Sequence, residues 1–339
     1  MKQQLLILVF IFSCICTRAQ VYFSDGNSDE GQYLQQTDSA RKRIVTNGIK
    51  SVRVFRSKAD SAHSGSKDSY LADVYKYDDR GNLIDYQVLN KHGNTIREYL
   101  YRFDADNRNV EFTALKRNGK IKRQMTYDYD KAGNNIETHW FFDDDPPARL
   151  VRNYDNKNHL VEQIYYYNHY KKQGMSYKYS YYDDGSRKQS VEYNRKGKIL
   201  HTWNYDCSPV GQLEGSKFKD TSKICIRYEM DKNGNRIKVT EEFVKRGNVI
   251  RRINKYDLHD RLLDVSDYNK KGKIVYRYSY DYNSDGRMIE ALYYKMGSGD
   301  KVKSRFTYVY NAKGDLVQEL TYKHSKPAYV YRYNYLVSK

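Results

Sequence analysis

A segment of about 26 residues recurs ten times along this chain, and nothing else in the sequence constrains the fold as strongly. The stretch Tyr77-Asp78-Asp79-Arg80-Gly81-Asn82-Leu83-Ile84 returns in register at Phe103, Tyr129, Tyr154, Tyr181, Tyr205, Met230, Tyr256, Tyr282 and Tyr310, with starts 24 to 28 residues apart. Tyr opens eight of the ten copies, and Asp or Asn follows in nine, Tyr182 being the exception. Four residues after the start stands Gly, Asn or Asp in nine copies; only the Tyr205 unit differs, with Pro209 there. A period of this length marks a chain assembled from repeated supersecondary units.

Each recurrent position has a mechanical reason. Asp or Asn opens a type I turn by accepting backbone hydrogen bonds two residues on, and Gly, Asn or Asp tolerates the left-handed backbone that closes it. Such a turn reverses an antiparallel pair. Around it the aromatics alternate with period two, as in Tyr99/Tyr101/Phe103 and Tyr276/Tyr278/Tyr280/Tyr282, which places the rings on one side of a strand. Seven residues after the start an aliphatic recurs (Ile84, Val110, Ile136, Val161, Ile237, Leu263, Ile289, Val317), read as a core position on the outgoing strand. A second turn falls midway through most units, clearest at Lys91-His92-Gly93-Asn94, Arg117-Asn118-Gly119-Lys120, Arg195-Lys196-Gly197-Lys198, Arg246-Gly247-Asn248 and Lys271-Gly272-Lys273.

Two turns per unit leave two strands of ordinary length. The expected fold is therefore all-β: an antiparallel hairpin meander of about twenty strands in one twisted or curled elongated sheet. A further hairpin is expected to precede it, Ile49–Phe55 against Tyr70–Tyr77 across the polar stretch 56–69. The repeat domain occupies 49–339. Residues 20–48 are polar and patternless, a tether or loosely docked segment. The least regular units, near Asp143–Arg149 and Tyr165–Lys188, are where the sheet is expected to bend or bulge.

The Tyr-Asp-x-x-Gly-Asn core, as in Tyr77 to Asn82 and Tyr129 to Asn134, resembles the YD repeat of RHS-type bacterial surface proteins over most of residues 49–335. In the large members of that group the repeats spiral into a hollow β-shell enclosing a C-terminal toxin. Here ten units are few for such a shell, no Asp-Pro-type self-cleavage motif or toxin domain is recognised, and residues 329–335 are still repeat-like strand. The resemblance implies the wall material without the cargo.

Composition and the N-terminus set the compartment. Lys2, the apolar run Leu5–Phe12 and the small-residue site Thr17-Arg18-Ala19 read as a secretory signal peptide over 1–19, cleaved between Ala19 and Gln20. A lipoprotein signal with Cys14 at the junction is the minor alternative. The expected location is secreted, periplasmic or cell-envelope. The chain has 339 residues, 60 Lys and Arg against 42 Asp and Glu, and a formal charge of +18, which falls to +16 when Lys2 and Arg18 leave with residues 1–19. Mean hydropathy is −0.94, so no membrane span is expected after cleavage. An outer-membrane barrel would need a lipid-facing apolar band these strands lack. Thirty-seven Tyr and 11 Phe exclude a solvated coil. Cys207 and Cys225 remain in the mature chain; their register places them beyond bridging distance, so two free thiols are expected.

Candidate chemistry is absorbed by the repeat. Eight residues after the start an acid recurs (Asp85, Glu111, Glu137, Glu162, Asp264, Glu290). A catalytic pair should be singular, and cross-strand pairing with cations such as Arg97 or Arg123 is the simpler account. Asp281-x-Asn283-x-Asp285-Gly286 matches the opening of a calcium loop, but Leu292 stands where the bidentate Glu is needed. Asp143-Asp144-Asp145 reads as a solvated hairpin tip. The eight His are scattered without ligand spacing, so neither a zinc site nor any other cofactor is expected. Alternating rings and cations suit single-stranded nucleic acid, yet a sheet face built from Tyr explains them, and nucleic acid is an improbable partner for a secreted protein.

The charge has a pattern. Turns of the Tyr-Asp class carry Asp78, Asp104, Asp130, Asp155, Asp206, Asp231 and Asp257, and the alternate turns carry Lys91, Arg117, Lys120, Arg195, Lys196, Lys198, Lys245, Arg246, Lys270, Lys271 and Lys273. In a meander the two classes lie at opposite ends of the strands, giving a basic rim as the candidate polyanion-binding site. The expected function is a non-enzymatic binding or structural surface at the envelope, with acidic polysaccharide or another envelope polyanion as partner. The alternatives are an accessory or shell-like component of an RHS-type toxin or secretion system, and an envelope glycan-acting enzyme with its site in 140–190. Self-association through the edge strand Tyr329–Tyr335 is a further expectation.

Overall fold

The computed structural model describes residues 38–59, 69–143, 145–167, 169–183, 185, 187–205, 223–233, 235–243, 247–269, 271–295, 302–323 and 326–337. The signal segment, the lipoprotein alternative at Cys14, the Cys207–Cys225 question and three rim cations (Lys245, Arg246, Lys270) fall outside what is described.

Among these residues one helix, α1 (Asp38–Thr46), precedes twenty-one strands in a single sheet. These are β1 (Ile49–Lys58), β2 (Tyr70–Tyr77), β3 (Leu83–Leu89), β4 (Thr95–Phe103), β5 (Asn109–Leu115), β6 (Ile121–Tyr129), β7 (Asn135–Phe142), β8 (Ala148–Tyr154), β9 (Leu160–Tyr167), β10 (Lys172–Tyr181) and β11 (Arg187–Tyr193). There follow β12 (Ile199–Tyr205), β13 (Lys223–Met230), β14 (Arg236–Phe243), β15 (Gly247–Tyr256), β16 (Leu262–Tyr268), β17 (Ile274–Tyr282), β18 (Met288–Lys295), β19 (Val302–Tyr310), β20 (Leu316–Lys323) and β21 (Lys326–Val337). Consecutive strands pair antiparallel at every step but one, and the leading hairpin forms as expected, with Ser51 opposite Lys76 and Arg56 opposite Tyr70.

One junction departs from the expected meander. β12 and β13 run parallel, Thr202 beside Lys223 and Tyr205 beside Ile226. The break coincides with the irregular Tyr205 unit. It keeps the described Tyr-Asp turns at one end of the sheet: β12 and β13 both finish there, whereas an antiparallel step would send later units to the opposite end.

The expected free edge is also corrected. Tyr329–Tyr335 lies in β21, which pairs antiparallel with β1 from Ile49 opposite Val337 to Lys58 opposite Tyr329. The backbone groups proposed for self-association are thus spent on β1.

The recurrent aliphatics have a different place from the one their spacing suggested. Tyr77 faces Leu83 and Lys76 faces Asp85, so Ile84 is the extra residue of a β-bulge. The same shift makes Val110, Ile136, Leu263, Ile289 and Val317 extra residues after their own turns. In two units the core position is one residue earlier: Leu83 is 6% exposed against 36% for Ile84, and Met288 3% against 39% for Ile289. Bulges therefore recur throughout the sheet, beyond the two irregular stretches, and each adds local twist that helps it curl.

The buried cluster joins Ile44, Ile49, Val52, Val54, Tyr75, Leu83, Tyr101, Phe112, Ala114, Met125 and Tyr333. Rings continue it across strands. Tyr75 stacks on Tyr86 at 4.5 Å, Tyr86 on Tyr99 at 5.5 Å and Tyr99 on Phe112 at 6.0 Å, each contact adding roughly 0.5–1.5 kcal/mol beyond area burial. Within 20–48, residues 38–46 form α1, whose Ala40 and Ile44 are buried. Arg41 Nη1 donates to Asn82 Oδ1 at 3.3 Å, Arg43 Nη1 to the Gly314 carbonyl at 3.2 Å and Asn47 Nδ2 to Asp315 Oδ1 at 3.1 Å. The helix thus joins turns from the first and last units, a firmer seat than a loosely docked tether.

Candidate functional site

The two ends of the sheet are built from the same turn and differ in what the side chains do. In the Tyr129 unit, Asp130 N donates to the Asn134 carbonyl at 3.0 Å and Gly133 N to the Asp130 carbonyl at 3.1 Å. Asp130 Oδ1 accepts from Asn134 N at 2.8 Å. The closing residue is left-handed, at φ +87° for Gly133, +62° for Asn107 and +58° for Asp260. Asn90, Asn194 and Asn269 open the alternate turns the same way, Asn194 Oδ1 accepting from Lys196 N at 2.9 Å and Lys198 N at 3.0 Å.

At the Tyr-Asp end the second carboxylate oxygen is also used. Asp78 Oδ2 accepts from Asn82 Nδ2, which also donates to Asn107 Oδ1 of the next unit, both at 2.9 Å. Asn134 bridges Asp130 to Asn158 likewise, at 2.9 and 3.0 Å. Cations join in: Arg80 donates to the Asp104 carbonyl at 2.6 Å, and Arg108 and Arg261 pair with Asp104 and Asp257 at 2.7 and 2.6 Å. Side-chain donation by Asn134 and Asn235 lowers the pKa of Asp130 and Asp231, and the backbone N–H of His159 lowers that of Asp155.

Among the described residues the alternate end has no such ladder. Lys91, Arg117, Lys120, Arg195, Lys196, Lys198, Lys271 and Lys273 are exposed, and none of these eight makes an ion pair among the described residues. The sheet sets the β3–β4 and β5–β6 turns two strand spacings apart, about 10 Å. Beside the β11–β12 turn it brings exposed Lys171 and Lys172, which belong to a degenerate unit and were missed, although their position before β10 is the register signal that would find them. The rim is interrupted at the β7–β8 turn, where Asp143 pairs with Lys116.

The repeated acids pair with cations on neighbouring strands. Asp85 pairs with Lys76 and Glu111 with Arg102, both at 2.7 Å and both on the preceding strand. Arg97 and Arg123 had been expected in that role; the Arg123 guanidinium instead lies over the Phe112 ring at 5.3 Å. Asp264 pairs with Arg277 at 2.7 Å, Glu162 with Lys178 at 3.7 Å and Glu290 with Arg305. The calcium-like stretch is an ordinary turn, with Asn283 Oδ1 accepting from Arg287 N at 2.8 Å and Asp285 paired with Arg287 at 2.6 Å.

One cluster stands apart. Asp128 on β6 lies directly opposite Glu137 on β7, and His139 Nε2 is 3.6 Å from Asp128 Oδ2 and 3.3 Å from Glu137 Oε1. His139 Nδ1 is 3.2 Å from the Tyr170 hydroxyl. Arg149 holds Glu137 Oε1 at 2.9 Å while its guanidinium lies over Tyr166 at 4.7 Å. Linear spacing does not reveal this group, because its members meet across strands and through the β9–β10 turn.

No family model and no curated protein matches the chain. Among solved structures it is similar to a Tc holotoxin pore from Photorhabdus luminescens, with 14% identity, a TM-score of 0.39, and coverage of 78% of this chain and 15% of that one. It is similar to TcdB2-TccC3 at 10% identity and a TM-score of 0.34, covering 82% and 19%. A porin-like protein from Bacteroides uniformis gives 8% identity and a TM-score of 0.29, covering 85% and 98%. The chain spans less than a fifth of the two toxin-complex chains. Among the described residues no helix is long and apolar enough to cross a membrane.

Proposed function

We propose that this protein is a secreted or envelope-associated, non-enzymatic repeat surface that binds acidic polysaccharide through its basic rim. One observation supports the reading most: the acids at the Tyr-Asp end are consumed by bonds within and between turns, while the described rim cations at the other end are exposed and lack ion-pair partners. Such cations keep their full charge for a ligand, and identical turns repeat it in steps of about 10 Å, which suits a polyanion with its own regular charge spacing. The test is binding to heparin and to an uncharged dextran over a range of salt concentrations. Affinity for heparin that falls steeply with salt, and falls at least about tenfold when Arg195, Lys196 and Lys198 are all changed to Gln, agrees with the reading. Affinity indifferent to salt and to that triple variant sinks it.

A second reading, a wall element of a shell-like toxin or secretion assembly, is favoured by the bulge that follows turn after turn and helps curl a uniform sheet. Native mass spectrometry of the secreted protein separates the two. A defined complex with the product of an adjacent gene supports the assembly, and a bare monomer that binds heparin supports the first reading.

A further inference from the structure

The Asp128–Glu137 pair departs from the pattern of three other units, in which a cation faces the recurrent acid. At the equivalent cross-strand position Lys76 faces Asp85 and Arg102 faces Glu111, so a cation neutralises the recurrent acid. Here Asp occupies the cation's place, and two carboxylates directly opposite each other repel. A second acid pair occurs at Asp281 and Glu290, where Arg305 pairs with Glu290. Only the Tyr129 unit adds His ten residues after its start; the corresponding residues elsewhere include Gln87, Thr113, Ile164, Val191, Ser266 and Leu292.

We infer that Asp128, Glu137 and His139 form a binding site for a divalent transition-metal ion of the zinc class. One ligand atom from each lies within 4.8 Å of the others. Donors about 2.0–2.1 Å from a tetrahedral zinc ion stand roughly 3.3 Å apart, and His139 Nε2 is 3.3 and 3.6 Å from the two carboxylates. The imidazole is oriented from behind: the Tyr170 hydroxyl at Nδ1 takes the N–H of the tautomer whose Nε2 lone pair points at the acids, the outer-shell arrangement typical of metal-bound His. Tyr170 is held in the left-handed region at φ +65°, next to His169 at +54°, a conformation that costs energy for such residues and that surrounding contacts must sustain. Arg149 fixes Glu137; the three ligands carry two negative charges, and the guanidinium brings the four-residue cluster to one. An imidazole with two carboxylates suits zinc, cobalt or nickel better than calcium or magnesium, which take all-oxygen sets. The geometry leaves a fourth position for water or for a donor from a ligand.

The test is titration of the full mature chain with Co²⁺, read by its visible d–d absorption, and with Zn²⁺ in competition. The expected result is one Co²⁺ per chain in a low-symmetry four- or five-coordinate spectrum, displaced by Zn²⁺ and unaffected by excess Ca²⁺. His139→Gln and Asp128→Asn abolish the spectrum, Tyr170→Phe weakens binding about tenfold, and Asp281→Asn leaves it unchanged. Far-UV circular dichroism establishes that each variant keeps the sheet; Asp128 is exposed, so its variant is the one least able to disturb folding. No stoichiometric spectrum in the unmodified chain, or a spectrum that survives both His139→Gln and Asp128→Asn, overturns the assignment.

Discussion

The hydroxyl of Tyr129 donates to the backbone carbonyl of Asn109, 2.7 Å away on the preceding strand. The bond recurs from Tyr154 to Asn135, Tyr181 to Leu160, Tyr282 to Leu262 and Tyr310 to Met288, at 2.8 to 3.1 Å. Tyr335 makes it to Leu316 at 2.7 Å and so closes the series as an eleventh unit would. The acceptor is always the first residue of the previous unit's outgoing strand, just before the bulge. This is why the motif opens on Tyr and rarely on Phe: the ring packs, and the hydroxyl staples unit to unit.

Replacing Tyr282 by Phe removes one staple with little change of shape. The expected loss is about 1 kcal/mol, read as a lower urea midpoint with unchanged slope. Phe103 already lacks the hydroxyl, so Phe103→Leu changes packing alone and serves as the comparison.

Acid should loosen the Tyr-Asp end selectively. Asp130, Asp155 and Asp231 have folded-state pKa values below their ordinary one. Their contribution is therefore complete above the unfolded value of roughly 3.9 and is lost as pH falls through the folded values. Urea midpoints measured from pH 6 down to pH 2 should drop, and the triple Asn variant at these positions should show a shallower drop.

Asp73 should act with the opposite sign. Burial pushes its carboxyl up to about 6, against the lowering effects of the Tyr86 hydroxyl and of Arg56. Its contribution is greatest below the unfolded value and is lost as pH rises through about 6. Asp73→Asn is expected to raise stability above pH 7 by on the order of 2 kcal/mol, with the Tyr86 bond at 2.9 Å retained by the amide oxygen. A carbon-detected titration of Asp73 with its midpoint near 4 would contradict this.

Gly81 and Gly119 share φ +79° and differ in surroundings. A Cβ at Gly81 would lie 2.6 Å from the Arg41 carbonyl of α1, whereas at Gly119 nothing is within 4 Å. Gly119→Ala should cost only the left-handed conformation, about 1–2 kcal/mol. Gly81→Ala should cost more and expose residues 38–46 to hydrogen exchange.

What could be read from the residues was local. The Asx bonds of Asp104 or Asn194, the left-handed Gly133 and Asn107, and the one-sided alternation of Tyr99, Tyr101 and Phe103 all follow from neighbours a few positions away. The two turn classes do lie at opposite ends. The bulge was hidden because Leu83 and Ile84 are both aliphatic, and only the pairing of Lys76 with Asp85 shows which one faces the core. α1 was hidden because Ala40 and Ile44 make a single-turn apolar stripe, too short to register as a period. The β1–β21 pair is invisible in a sequence whose strands all look alike, and the His139 cluster depends on strands meeting side by side.

The parallel step between β12 and β13 has a consequence for how such a chain changes length. Twenty-one strands alternating throughout would bring β21 alongside β1 in the same direction; one parallel neighbour makes them meet head to tail. With the odd strand absorbed at that junction, whole hairpin units can be duplicated or deleted elsewhere without exchanging the two rims. Unit number then sets the number of strands alone, and the two rims keep their ends whatever that number is.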